Sequence, residues 1–223
     1  MRMRKTATVF AIALVWAVFG ASFALAGDIV KVNDQIGIWF GPYGTAEGPF
    51  RITDYTTGAD FLTFCIETHQ YFYPTDWNQS YYRYNVTDIS HTVITDPDSS
   101  SNILSHQAAY LYYHWVLGDV PALATTDAGT LNQLQSAIWY WEGEIGGDGT
   151  NQFGVSFFNN SYFSQPAGVA ALNNAYGHVM ALNSNDVWDG APAQSFMVAQ
   201  TPEPSLVVLL GCGLVGLVFI RRK

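Results

Sequence analysis

Two side chains pose the chemical question in this 223-residue chain. Cys65 stands in the stretch "TFCIE", Thr63 to Glu67, and Gln135 in "LQSAIW", Leu134 to Trp139. A thiolate can attack a glutamine carboxamide, expel ammonia and leave an internal thioester, which is nucleophilic acyl chemistry with the protein as its own substrate. The sulfur must be held against the amide carbon, because proximity replaces an otherwise very slow bimolecular step. A donor for the tetrahedral oxyanion and shelter from water are the other requirements.

The elements that would position these two residues are legible in the hydropathy pattern. Leu62, Phe64 and Ile66 alternate with Phe61, Thr63, Cys65 and Glu67. That alternation predicts a strand with Cys65 facing opposite to Phe64 and Ile66, on its less apolar side. Leu131, Leu134, Ile138 and Trp141 form the apolar stripe of a helix beginning near Thr130. Gln135 follows Leu131 by four residues and precedes Ile138 by three, so it lies in that stripe. A buried amide there needs partners or a purpose.

Around these, "IGIWF", "PFRITDY", "DFLTFCIE" and "YYRYNV" read as strands between Ile29 and about Val86, separated by Gly, Pro, Asn and Asp. After "TDPDSSSN" the period changes: Leu104, Ala108, Leu111 and Trp115 share one helix face, with Ser100 or Ser101 available as its cap. Gly143 to Ser164 reads as loop, Ala167 to Leu182 as a further helix ending near Asn183, and Ala193 to Gln200 as a last strand. The expected fold class is α+β. An N-terminal antiparallel β lobe, a barrel or a sandwich, would supply Cys65; a helical lobe would supply Gln135; a C-terminal strand would close the body.

Both ends carry segments of another kind. Arg2, Arg4 and Lys5 precede an apolar run that ends in small residues at Ala24 to Ala26, the layout of a secretory signal over residues 1–26. At the other end Leu206 to Ile220 is an uninterrupted apolar run closed by Arg221, Arg222 and Lys223, which reads as a C-terminal transmembrane helix with its cations held on the cytoplasmic side. Pro202-Glu203-Pro204 before it cannot continue a helix. The chain thus divides into 1–26, a body over 27–200, and a tail over 201–223. Cys212 belongs to the tail, so Cys65 is the lone cysteine of the body and no disulfide can form within it. Such a cysteine in an exported protein points to an intermolecular bridge, a reactive thiol or an inert buried side chain. Outside the two ends, Lys31, Arg51 and Arg83 face seventeen of the chain's eighteen Asp and Glu, Glu203 lying in the tail, a balance that repels nucleic acid and anionic lipid. With charged residues at 12% and aromatic residues at 15% of the whole chain, the sequence reads as folded rather than disordered.

The tail resembles the PEP-CTERM sorting signal of Gram-negative bacteria, with its Pro-Glu-Pro triplet, short apolar helix and terminal basic cluster in order. The resemblance implies cleavage near Pro202 to Pro204 by an exosortase-type enzyme, transient attachment to the inner membrane, and delivery to the cell surface or the extracellular polysaccharide matrix. The body resembles the thioester domains of bacterial surface adhesins, which carry a cysteine in a short apolar strand and later a "TQxAIW"-like segment. Leu134 stands here where that segment has threonine. This second resemblance implies that Cys65 is the thioester sulfur and Gln135 the acyl donor. It further implies covalent attachment to an amine or hydroxyl nucleophile on a surface protein, matrix protein or polysaccharide, with no cofactor and no turnover.

Other readings compete. His69, His106 and His114 raise a cysteine–histidine hydrolase, although no cysteine-protease signature surrounds Cys65. The five histidines show no metal-binding spacing, and Asp96, Asp98 and Asn102 lack the ordered positions of a calcium loop. Glu142 and Glu144 read as a solvated turn at a helix end rather than a glycosidase pair. The abundant Tyr and Trp support a rival of another class, a non-covalent carbohydrate-binding or structural matrix protein in which Cys65 is inert.

Overall fold

A computed structural model describes residues 30–40, 48–68, 82–94, 102–145, 151–187 and 190–200. The first strands are β1 (Gln35–Phe40), β2 (Phe50–Asp54), β3 (Asp60–Thr63) and β4 (Tyr82–Ser90), followed by the short β5 (Thr92–Val93) and β6 (Asn102–Ile103). Four helices come next: α1 (His106–Leu117), α2 (Ala128–Glu142), α3 (Val155–Phe158) and α4 (Pro166–His178). Strands β7 (Val179–Asp186) and β8 (Pro192–Ala199) complete the described elements. The architecture is α+β, with one six-stranded antiparallel sheet in the order β3-β2-β1-β4-β7-β8 and a β5–β6 ribbon beside it.

Period-two patterning decides which face each strand buries. Ile36 and Ile38 of β1, Phe50 and Ile52 of β2, Tyr84 and Val86 of β4, and Phe196 and Val198 of β8 point into one core, which Cys65 joins. Phe64 and Ile66 face the other way, into a second core built with Val179, Ala181 and Met197 and the apolar faces of α1 and α2. Beyond β3 the chain changes partner. Thr63 still pairs with Phe50 of β2, but Cys65 bridges Phe196 of β8, with Ile66 N–H donating to Ser195 O (2.9 Å) and Met197 N–H to Phe64 O (3.1 Å). The two edges of the sheet are therefore stitched together at the cysteine.

Helix boundaries follow local chemistry. The Ser105 hydroxyl accepts from Ala108 N–H at the start of α1, and the Asp127 carboxylate accepts from Thr130 N–H at the start of α2. Gly118 and Gly143 close these helices in left-handed conformations that side chains disfavour.

Several expectations are corrected. The β lobe is not an N-terminal unit with one closing strand: β7 and β8 from the far end of the body make up one side of the same sheet, β7 pairing with β4. The helix expected to run on to Asn183 stops at His178. The apolar run Val179 to Leu182 fits a helix or a strand by periodicity alone, and pairing with both β4 and β8 settles it as a strand. The expected loop over 143–164 contains the one-turn helix α3. The cap of α1 is Ser105 rather than Ser100 or Ser101, which lie outside the described residues. Among the described residues no helix is long and apolar enough to cross a membrane, so the expected transmembrane helix is not part of the fold described. Leu206 to Ile220, Pro202-Glu203-Pro204 and the cations Arg221, Arg222 and Lys223 lie outside the described residues, as does the 1–26 segment.

Candidate functional site

At the stitch, Cys65 occupies a position of the β8 pairing whose flanking residues make the ladder bonds, so its own N–H and C=O point the other way. Strand β2 no longer reaches that side. The space is filled by a side chain from α2: Gln135 Oε1 accepts from Cys65 N–H (3.1 Å), and Gln135 Nε2 donates to Cys65 O (2.8 Å). A primary amide has one acceptor and donors in one plane, so it satisfies two orphaned backbone groups as a neighbouring strand would. Both residues are buried, Gln135 completely and Cys65 at 2% exposure.

The sulfur is the third contact. Cys65 Sγ lies 3.4 Å from Gln135 Oε1, within sulfur hydrogen-bond range. Thiol and carboxamide are thus side by side, with the carboxamide plane fixed by the cysteine's own backbone. The Cys65 N–H already donates to the oxygen that would carry negative charge if sulfur added to the amide carbon, which is the geometry of an oxyanion donor. Gly48, at φ +118°, packs against the far side, where a Cβ would come within 3.0 Å of Gln135 Oε1 and 3.3 Å of the Phe50 and Phe64 rings.

Helix α2 lies over the seam between the two cores. Leu131, Leu134, Ala137 and Ile138 enter the helix-side core, while Trp139, one turn after Gln135, packs against the core that holds Cys65. Burial pushes the Cys65 thiol far above its ordinary range, a Trp139 side-chain interaction and the Cys65 backbone draw it down, and the charges of Glu67 and Glu144 add to the rise. Glu67, two residues past the cysteine, accepts through Oε2 from Ser195 N–H of β8 (3.3 Å), and Glu144, just beyond α2, accepts through Oε2 from Thr68 N–H (3.1 Å).

Of the sequence-derived candidates, the structure brings Cys65 and Gln135 into direct contact. It does not bring His106 or His114 to them: His106 stacks on Tyr176 with ring centroids 4.0 Å apart, and His114 bonds Asp119 (2.7 Å). His69, Asp96 and Asp98 fall outside the described residues, and Asn102 begins β6. Among the described residues no group of three or more His, Cys, Asp or Glu could hold a metal ion. Glu142 is not the solvated group that its place at a helix end predicts. It is buried, its Oε1 accepts from Ser105 N–H at the start of α1 (2.8 Å), and burial raises its pKa to about 7 despite hydrogen bonds from Ser105. The cysteine's face is likewise no less apolar than the opposite one, because this strand is covered on both sides. Trp139 was visible in the sequence only as part of a motif; its spacing of four from Gln135 is the signal that places it at the site.

No family model, no curated protein and no solved structure matches this chain.

Proposed function

We propose that Cys65 and Gln135 form an internal thioester, through which an exported surface or matrix protein attaches covalently to an amine or hydroxyl nucleophile on its target. The observation that carries this reading is the carboxamide clamped edge-on by the cysteine's own N–H and C=O with the thiol 3.4 Å from its oxygen. Sulfur adds to the Gln135 amide carbon, the Cys65 N–H holds the resulting oxyanion, the thiol proton passes to Nε2, and the carbon–nitrogen bond breaks to release ammonia. Atoms balance without a cofactor. A nucleophile on the target then adds to the same carbon and displaces the thiolate, so each molecule reacts once. The Pro202-Glu203-Pro204 tail and basic terminus support sorting by an exosortase-type enzyme, and the 1–26 segment supports export.

One observation favours the rival reading of an inert thiol in a carbohydrate-binding or structural matrix protein. Both polar ends of the Gln135 carboxamide have backbone partners, so the amide could serve only to satisfy Cys65. Intact mass separates the two. The purified protein is expected to be short by one ammonia, with the deficit absent from Cys65→Ala and Gln135→Ala and replaced by a methylamine adduct after incubation with that amine. A complete mass with a free Cys65 in the folded protein would refute the thioester.

A further inference from the structure

The indole nitrogen of Trp139 is buried and has no hydrogen-bond partner among the described residues. An indole N–H is a donor only, and a buried donor left unmatched keeps the cost of its lost hydration, so native structures rarely keep one without a reason. Two placements bring the ring to the site. Trp139 follows Gln135 by four residues on α2, hence on the same face one turn along, and its ring packs into the core that contains Cys65. The direction of its effect on the thiol agrees: the Trp139 side chain draws the Cys65 pKa down while burial, Glu67 and Glu144 drive it up.

We infer that the Trp139 indole N–H is a catalytic donor to the Cys65 sulfur, reserved for the thiolate released when a nucleophile opens the thioester. This rests on the thioester reading. In the opening step an amine nitrogen adds to the Gln135 acyl carbon, the carbon–sulfur bond breaks, its electron pair goes to sulfur, and the proton lost by the amine finally rests there as the thiol. A thiol or thioester sulfur is a weak acceptor, so in the resting state the indole gains little from it. A thiolate is a strong one, and the hydrogen bond matures only as charge develops. Besides the indole, only the cysteine's own backbone N–H favours charge on this sulfur among the described residues, and that N–H is already engaged by Gln135 Oε1, while the neighbouring carboxylates oppose the charge. The same contact favours the thiolate that attacks in the forming direction.

The test is the rate at which methylamine opens the thioester, followed by intact mass on the purified chain. One variant is Trp139→Phe; a second replaces the Trp139 indole site-specifically by benzothiophene, which keeps the ring outline and deletes only the N–H. Trp141→Phe is the control, since the Trp141 N–H faces Phe153 O (3.4 Å) instead. Loss of one hydrogen bond to a charged group predicts opening slowed roughly tenfold to a hundredfold in both Trp139 variants. The benzothiophene protein should keep the thermal midpoint of the wild type, and Trp141→Phe should open at the wild-type rate. A benzothiophene variant that opens as fast as the wild type overturns the inference and leaves the thioester standing. A wild-type mass with no ammonia missing overturns the thioester, and the inference with it, before any rate is measured.

Discussion

Replacing Glu142 by Gln should make the protein more stable at pH 8 and leave it unchanged near pH 4.5. Glu142 ends the helix that carries Gln135 and Trp139, and its Oε1 ties that helix to the first residues of α1 through Ser105 N–H. Burial raises its pKa from 4.5 to about 7, with the Ser105 hydrogen bonds acting against the rise and Glu144 adding to it. A raised folded-state value means that the folded protein holds the proton more tightly than the unfolded chain. Stability therefore falls as pH climbs from about 4.5 to about 7, and the full loss is present above that window. At about 1.4 kcal/mol per pH unit between the two values, the ionised carboxylate disfavours the fold by about 3 kcal/mol. Glutamine keeps an acceptor for Ser105 N–H and carries no charge. The difference in unfolding free energy between variant and wild type should thus grow from near zero at pH 4.5 to about 3 kcal/mol at pH 8, a rise in melting temperature of roughly 6–12 °C for a body of this size. Urea titrations of both proteins at the two pH values measure it. Taking the difference between variant and wild type cancels whatever titrates elsewhere in the chain. Curves that stay parallel across the window would refute the argument.

Two further outcomes follow from the site. Gly48→Ala places a Cβ 3.0 Å from Gln135 Oε1 at a φ of +118°, so it should lower stability by about 1–3 kcal/mol and reduce the fraction of molecules that lose ammonia; an unchanged fraction in mass spectra would count against the clamp geometry. Gln135→Ala strands the buried N–H and C=O of Cys65 and should be destabilised by about 2–5 kcal/mol, whereas Cys65→Ala leaves the backbone bonds to Gln135 intact and should lose only about 1–2 kcal/mol. Denaturant midpoints that rank the two variants the other way would show that the carboxamide is not what seals this edge.

What could be read in the sequence was local. Alternation over Phe61 to Glu67 predicts the strand and sets Cys65 opposite Phe64, and the stripe of α2 singles out Gln135 as an amide among hydrophobes. What could not be read was the pairing of residues far apart in the chain. The β8 segment that bridges Cys65 lies about 130 positions away, and nothing in either segment names the other. That pairing covers both faces of the cysteine strand, so the pattern understated how apolar the Cys65 side is. It also makes Val179 to Leu182 a strand where an apolar run of that length fits a helix equally well. Glu142 departs from its local pattern for a related reason: a carboxylate in the last turn of a helix is usually solvated, and only the packing of α1 against α2 brings Ser105 over it.

The clamp alone does not require a cysteine. Both hydrogen bonds from Gln135 go to backbone atoms, so any small residue at position 65 would satisfy the amide equally well. The side chain that is present points its sulfur at the carboxamide in a site where an ionised thiol is strongly opposed by burial and by Glu67 and Glu144. A thioester carries no charge there, so the surroundings that disfavour the thiolate do not penalise the acylated sulfur. Expelling a thiolate into the same surroundings would be uphill, which would slow hydrolysis of the proposed bond. Shelter and reluctance to open therefore have one physical source. An incoming nucleophile must overcome it, and the indole N–H of Trp139 is the group placed to ease that step.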